Sequence, residues 1–211
     1  MAAARRLVNM GFTEETFPEG THMCFIYSDE AERRKVISRF LESGISSGEH
    51  VSYFAENKSL AEVKNWLKEL GVAVPEGDAA APFALAGAEH TYCPHGHFDP
   101  DVLFAGFGGF YQQAMASKYA GVRMTGEMAW ALNGMPGSER LMEYEAKVNE
   151  VCLDIPIVSM CQYDANRFDG ATLMQALRVH PMMVVHGQIV HNPYYIKPTN
   201  LLKHHEGVHG A

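Results

Sequence analysis

Apolar positions follow two different periods along this chain, and each change of period marks a predicted element. Four short apolar runs have the length of buried parallel strands: HMCFIY at 22–27, VSYFA at 51–55, VRMT at 122–125 and IPIVSMCQY at 155–163. Between them, apolar residues recur at helical spacing near 36–45, 60–70, 101–119 and 141–151. The alternation predicts an α/β domain, with a mainly parallel sheet and helices on both faces.

The end of the chain has a different pattern. Met182 to His186 and Gln188 to His191 are short apolar runs joined at Gly187, which predicts an antiparallel hairpin at one edge of the sheet. We expect three parts: an N-terminal arm at 1–20, a single domain at 21–196 and a His-rich tail at 197–211.

Three glycines interrupt the helix predicted at 101–119. Gly106, Gly108 and Gly109 each cost roughly 1 kcal/mol relative to Ala inside a helix. Their presence predicts that this helix packs closely against a neighbour.

Composition narrows the class of protein. The chain has 211 residues, 47% of them hydrophobic and 20% charged, as expected for one globular domain with a sizeable core. A formal charge of −8 argues against direct nucleic-acid binding. No apolar run reaches the ~18 residues of a membrane span, so we expect a cytoplasmic protein without membrane association. The four cysteines are widely spaced, which favours reduced thiols over disulfides.

Several catalytic and nucleotide-binding motifs are missing from the sequence. The turn after HMCFIY reads SDEAERR, without the glycines and lysine of a phosphate loop. No GxGxxG follows a strand, and GxSxG does not occur. We therefore expect no bound nucleotide and no enzyme of these classes.

Polar residues collect at the predicted strand ends. Because the carboxyl ends of parallel strands meet at one edge of a sheet, these residues predict a site for a small organic ligand. The candidates are Tyr27, Ser28, Glu56, Thr125, Glu127, Trp130, Gln162, Tyr163 and Asp164. Two alternatives stay open: Trp130 is an ordinary core residue, or Glu127 and Asp164 form the acid/base pair of an enzyme.

The segment from His90 to His97 offers a second kind of chemistry. His90, Cys93, His95 and His97 place four metal-binding side chains within eight residues, and imidazole and thiolate suit Zn²⁺, Cu or haem iron. The spacing does not match a recognised zinc knuckle, and the alternative is a solvated His-rich loop. The sequence therefore also predicts a metal- or haem-binding sensor as a second hypothesis.

Several segments, in this order, resemble the MEDS family, the DcmR-type sensory domain of methanogens and methylotrophs. They are GTHMCFIYSDEAER, HFDPD, VRMTGEMAWAL, EYEAKVNE, CQYDANRFDG, ALRVHP and NPYY, and they span residues 20 to 196. The family positions that carry over are Tyr27, Gly126, Glu127, Trp130, Tyr144, Gln162, Tyr163, Asp164, Arg167 and Tyr194. The His-rich segment before FDP departs from the family pattern.

The resemblance implies a fold like the RecA/KaiC core without its phosphate loop. It implies a sensor of small hydrocarbon derivatives or similar metabolites. Family members are often joined to a DNA-binding or kinase-type output domain. We find no motif of either kind, which predicts that occupancy is passed in trans to a regulator or kinase, or through a homodimer.

Overall fold

The computed structural model describes residues 5–56, 60–74 and 82–197. The strands are β1 (Leu7–Asn9), β2 (Thr16–Pro18), β3 (His22–Tyr27), β4 (His50–Ala55), β5 (Phe83–Gly87), β6 (Val122–Glu127), β7 (Ile157–Asp164), β8 (Met182–Val185) and β9 (Gln188–His191). The helices are α1 (Glu30–Ser46), α2 (Leu60–Glu69), α3 (Ala88–Tyr92), α4 (Pro100–Ala116), α5 (Leu141–Asp154) and α6 (Gly170–Val179). Short 3₁₀ segments follow β6, at Met128–Asn133 and Ser138–Arg140.

Seven strands form one sheet in the order β5-β4-β6-β7-β3-β8-β9. The neighbours from β5 to β8 are parallel, and β9 pairs antiparallel with β8. The fold is therefore α/β with a mostly parallel sheet and a C-terminal antiparallel hairpin, as the sequence predicts. The centre of the sheet is β6 and β7, which are buried along nearly their whole length.

Helices cover both faces of the sheet. On one face, α1 and α2 bury a cluster that includes Phe40, Val63 and Met160. On the other, α3 to α6 enclose a second cluster that includes Trp130, Tyr144 and Tyr163. Because side chains alternate along a strand, β7 sends Met160 to the first core and Tyr163 to the second. Met124 of β6 lies in a third, smaller cluster with Val122, Ala114 and Ile157.

Most element boundaries agree with the sequence prediction to within a few residues. The helix predicted at 101–119 ends earlier, at Ala116, where Lys118 adopts a positive φ of 65°. The explanation from close packing is wrong for its glycines: a Cβ on Gly106 or Gly109 would meet no atom within 4 Å. A Cβ on Gly108 would only touch Ile155 at 3.9 Å. These glycines leave space beside α4.

The predicted N-terminal arm contributes to the core. β1 pairs antiparallel with β2, and Val8 and Met10 are buried in the cluster beneath α1. Of the predicted tail at 197–211, only Lys197 lies among the described residues. No helix in the described part of the chain has the length and apolarity to cross a membrane.

Candidate functional site

A buried network around Arg33 lies at the carboxyl edge of the sheet, on the α1 face. Arg33 Nη1 donates to Glu127 Oε1 at 3.1 Å, to Gln162 Oε1 at 3.0 Å and to the Tyr53 hydroxyl at 2.9 Å. The Tyr53 hydroxyl also donates to Glu127 Oε1. Three neighbouring strands and the first turns of α1 are thereby joined by one guanidinium group, and we call this set the Arg33 network.

The Arg33 network extends in both directions. Gln162 Nε2 donates to Thr125 Oγ1 at 2.9 Å, so the predicted site residues Thr125, Glu127 and Gln162 do come together. On the outer side, Glu30 accepts two bonds from Arg33, at 2.6 and 2.7 Å. Burial works to lower the pKa of Arg33, but its bonds to Glu30 and the nearby Glu127 outweigh that effect and raise it. Arg33 is a permanent cation inside the domain.

Glu127 is therefore already bound by the protein. The residue is 4% exposed, and its carboxylate pairs with a fully buried Arg33. Asp164, its predicted acid/base partner, accepts from the Asn166 backbone N–H at 2.9 Å and side chain at 3.1 Å, closing the turn after β7. These contacts are those of structural carboxylates, and the acid/base role stays a prediction.

Three more of the predicted edge residues, Glu56, Tyr27 and Ser28, lie at separate places along the edge. Glu56 forms an ion pair with Arg167 at 2.6 Å and accepts from Asn133 at 3.4 Å. The Tyr27 ring lies under Arg33, 5.4 Å from its guanidinium carbon. Exposed Ser28 accepts from Asn166 through its backbone carbonyl at 3.0 Å. The edge is thus a set of internal ion pairs and turns.

A second polar cluster lies on the opposite face of the sheet, and we call it the His22–Glu145 cluster. Its members are His22 on β3, Glu145 on α5, Cys161 on β7 and His180 after α6, all buried, with ligand atoms within 4.8 Å of one another. Glu145 Oε2 lies 3.3 Å from His22 Nε2, 3.2 Å from Cys161 Sγ and 3.5 Å from His180 Nε2. Tyr163 donates to the other carboxylate oxygen at 2.7 Å.

Burial governs the electrostatics of this cluster. It lowers the pKa of His22, and the charge of His180 lowers it further. Burial works to raise the pKa of Glu145, but His180 and His22 outweigh it and lower that pKa. Burial and Glu145 together raise the pKa of Cys161 well above its usual value. Tyr163, a predicted edge residue, contacts this cluster through Glu145 and is not part of the Arg33 network.

Trp130 lies in an aromatic core and not at the sheet edge. It is fully buried, stacks on Tyr92 at 5.1 Å and contacts Phe98 at 4.8 Å between ring centroids. Because the Trp130 side chain is closed off from solvent in this conformation, its position agrees with the alternative that Trp130 is a core residue.

The predicted metal-binding loop does not form a ligand cluster. Cys93 is buried, whereas His90, His95 and His97 are exposed, and the rings of His95 and His97 are 6.4 Å apart. Among residues 5–56, 60–74 and 82–197, the His22–Glu145 cluster is the group with metal-site spacing.

An apolar pocket of about 130 Å³ lies between α4, α3 and the sheet. It is lined by Phe54, Thr91, Tyr92, Leu103, Gly106, Phe107, Phe110, Met124 and Tyr144. Gly106 provides part of the open wall, since a Cβ there would meet no atom. Met124 reaches the pocket from β6, the strand whose next residues, Thr125 and Glu127, belong to the Arg33 network.

Tyr92, which lines the pocket, lies against the C-terminal end of β6. A Cβ on Gly126 would overlap the Tyr92 hydroxyl and lie 2.9 Å from Met128 Cε, so only glycine allows this approach. The pocket wall therefore contacts the residue before Glu127.

Comparison with known proteins assigns the chain to a family. The model of MEDS, the methanogen/methylotroph DcmR sensory domain, matches residues 21–181. This chain belongs to the MEDS family. It is 26% identical over 167 residues to the transcriptional repressor DcmR of Methylorubrum extorquens (strain DSM 6343 / CIP 106787 / DM4), covering 75% of this chain. The chain spans 57% of the length of that relative.

Solved structures place the MEDS domain in the KaiC-like fold. The KaiC-like protein PH0186 of Pyrococcus horikoshii OT3 has a TM-score of 0.59 at 13% identity, covering 85% of this chain and 79% of its own. The flagellar accessory protein FlaH of Methanocaldococcus jannaschii has a TM-score of 0.59 at 10% identity, covering 92% of each chain. PH0321 of Pyrococcus horikoshii has a TM-score of 0.60 at 14% identity, covering 79% of this chain and 77% of its own.

In this MEDS domain, the N-terminus of α1 is capped by an acidic side chain. Asp29 accepts from the Glu32 backbone N–H at 2.7 Å, and Glu30 and Glu32 add negative charge to the first turn. A helix N-terminus binds phosphate through free N–H groups and its positive dipole end. Here that end already carries carboxylates, which would repel a phosphate.

Sequence reasoning missed the His22–Glu145 cluster. Its residues come from four separate elements, so no local spacing reveals it. Two signals were present: a polar residue, His22, begins the otherwise apolar run of β3, and Glu145 lies among the buried, mostly apolar positions of α5. A charged residue on a buried face usually needs a buried partner.

Proposed function

We propose that this MEDS domain is a sensor that binds a small, mainly apolar organic molecule in the pocket beside α4. The observation that carries the proposal is the pocket itself, about 130 Å³ and lined almost wholly by aromatic and aliphatic side chains. A cavity of about 150 Å³ is enough to hold benzene or xenon. The proposed ligand therefore has the size of a simple hydrocarbon derivative.

The pocket beside α4 suits such a ligand better than the strand-end carboxylates do. Glu127 and Glu56 are already paired with arginines, so an uncharged ligand there would have to break an ion pair. In the apolar pocket, a ligand gains burial of its own surface without that cost. The Arg33 network is then the part of the domain whose geometry changes when the ligand binds.

The response would travel through β6. Met124 contacts the ligand from the α4 face, and Tyr92 presses on Gly126 next to Glu127. A shift of β6 would change the geometry of the Glu127–Arg33 pair and hence the position of α1. Ligand binding can bias that movement only by its difference in affinity for the two conformations.

The output is proposed to pass to a transcription regulator in trans. Support comes from the similarity to a transcriptional repressor over 167 residues and from the sensory family. A kinase partner or a homodimer would use the same movement of α1.

Benzene is a suitable probe for the pocket, and its binding to the full chain can be observed by two-dimensional NMR. We expect resonance shifts centred on Met124, Gly106 and Phe107. Gly106→Leu should fill the pocket and weaken benzene binding by about tenfold or more. Gly109→Leu is the matched control, because it lies in the same helix, is equally open and does not line the pocket. Equal benzene affinity in both variants would place the ligand elsewhere.

Hydrogen exchange separates a sensor from a simple cavity. With benzene bound, we expect altered amide exchange in the first turns of α1, around Arg33, as well as in α4. Changes confined to the pocket residues would contradict the proposed coupling.

A further inference from the structure

The His22–Glu145 cluster has the composition and spacing of a transition-metal site. Two imidazoles, one thiol and one carboxylate are the ligand types that Zn²⁺ accepts in tetrahedral sites. Bonds of about 2.0 Å to N and O and about 2.3 Å to S place tetrahedral ligand atoms roughly 3.3 to 3.6 Å apart. Four of the six ligand-atom pairs lie near this spacing: 3.3 Å for His22–Glu145, 3.4 Å for His22–Cys161, 3.5 Å for His180–Glu145 and 3.2 Å for Cys161–Glu145. All six pairs lie within 4.8 Å.

The tautomer of His180 follows from its hydrogen bond. Its Nδ1 lies 2.7 Å from the Ala176 carbonyl oxygen, which can only accept, so Nδ1 carries a proton. In a neutral ring Nε2 is then a bare lone pair. This atom is fully buried, makes no hydrogen bond and lies 3.5 Å from the Glu145 carboxylate. Two acceptors facing each other in a buried site need either a proton on the ring or a metal cation between them.

The tautomer of His22 follows from Asn149. The Asn149 side-chain Nδ2 faces three backbone carbonyls, of Val179 at 2.6 Å, Ala146 at 3.3 Å and Glu145 at 3.4 Å. Its Oδ1 must therefore accept from His22 Nδ1 at 2.9 Å. This leaves His22 Nε2 as a second lone pair directed toward Glu145 and Cys161.

The outer contacts resemble those that orient metal ligands. Each imidazole donates its Nδ1–H to an oxygen, which fixes the ring and directs Nε2 inward. Tyr163 binds Glu145 Oε1 and leaves Oε2, the oxygen nearest the two rings and the thiol, available. A surface groove lined by residues that include His22, Asn149 and Met182 borders the cluster at His22.

We infer that His22, Glu145, Cys161 and His180 bind one divalent transition metal ion, with Zn²⁺ preferred. Binding displaces the Cys161 thiol proton to solvent and forms a thiolate–metal bond. The site is independent of the apolar pocket, because none of its four ligands lines that pocket. A Gly106→Leu variant should therefore keep its metal.

The test uses the full chain, treated with a chelator and then titrated with Co²⁺ and with Zn²⁺. His204, His205 and His209 are replaced by Ala throughout, so that the tail cannot bind either ion. We expect one Co²⁺ per chain, thiolate-to-cobalt charge-transfer absorption, and displacement of Co²⁺ by Zn²⁺. The inference would be overturned if the chain with all four cluster residues intact bound no metal, or bound Co²⁺ without thiolate absorption.

Variants locate the site. Cys161→Ala should abolish the thiolate absorption and weaken Zn²⁺ binding by at least about 100-fold, and Tyr163→Phe should weaken it by about 10- to 100-fold. Cys24→Ala is the matched control. Cys24 is a free, buried cysteine on β3, directly beside Cys161 in the register of β3 and β7, but it is not a member of the cluster. Unchanged binding in Cys161→Ala, or loss of binding in a variant of His95 and His97, would place the metal elsewhere.

Discussion

Gln162 and Tyr163 are neighbours in β7, yet their side chains belong to polar clusters on opposite faces of the sheet. Gln162 accepts from Arg33 at 3.0 Å, and Tyr163 donates to Glu145 at 2.7 Å. One central strand therefore joins the Arg33 network to the His22–Glu145 cluster through a single peptide bond. A displacement of β7 would disturb both polar clusters.

Removing the arginine of the Arg33 network should be costly. Arg33→Met would leave Glu127 buried with no opposite charge, and breaking a buried pair in this way costs about 3 to 5 kcal/mol. Urea denaturation followed by circular dichroism would measure the free energy of unfolding.

Arg34→Met provides the comparison for that measurement. Arg34 pairs with Glu30 at the surface, where the median ion pair contributes about 0 to 1 kcal/mol. Equal losses from the two variants would show that Arg33 contributes no more than a surface charge.

The fold could be predicted from sequence because its signals are local. HMCFIY is a near-continuous apolar run, as expected for a strand buried on both faces, and it forms β3 with unchanged boundaries. Gly187 between two short apolar runs gives the β8–β9 hairpin in the same way. The glycines of α4 could not be interpreted locally, because their role depends on the space beside the helix and not on its own sequence.

The candidate site was predictable only in part. Strand ends do bring Thr125, Glu127 and Gln162 together, since parallel strands end at one edge. Their partner Arg33 lies on α1, and no spacing in the sequence indicates that its side chain reaches inward. The alternation of side chains also separates Tyr163 from Gln162, which a list of strand-end residues cannot show.

Asp29 should stabilise α1 as its N-cap. Its side chain accepts from the Glu32 N–H at 2.7 Å, so Asp29→Ala would lower the free energy of unfolding by about 1 kcal/mol. Asp29→Asn keeps an oxygen acceptor and should lose much less. If both variants have the same urea midpoint, the cap makes no contribution to stability.

The buried thiols should react slowly. Burial raises the pKa of Cys24 and of Cys152 to about 12, so at pH 8 roughly one thiol in 10⁴ is a thiolate. Alkylation by iodoacetamide should therefore be at least about 100-fold slower in the folded chain than in urea, and should accelerate with rising pH. Peptide mass spectrometry would measure each site, and rapid labelling of Cys152 at pH 8 would contradict this.

Gly126 and Tyr92 should be energetically coupled. Gly126→Ala adds a Cβ that overlaps the Tyr92 hydroxyl, and such overpacking costs about 1 to 3 kcal/mol. Tyr92→Phe removes the obstructing oxygen, so the double variant should be more stable than the sum of the single losses by about 1 kcal/mol. Gly109→Ala, in open space on α4, should instead stabilise the chain by about 0.5 to 1 kcal/mol. Strict additivity of the Gly126 and Tyr92 changes would show that the pocket wall and β6 are not in contact, and the proposed route from ligand to Glu127 would then be lost.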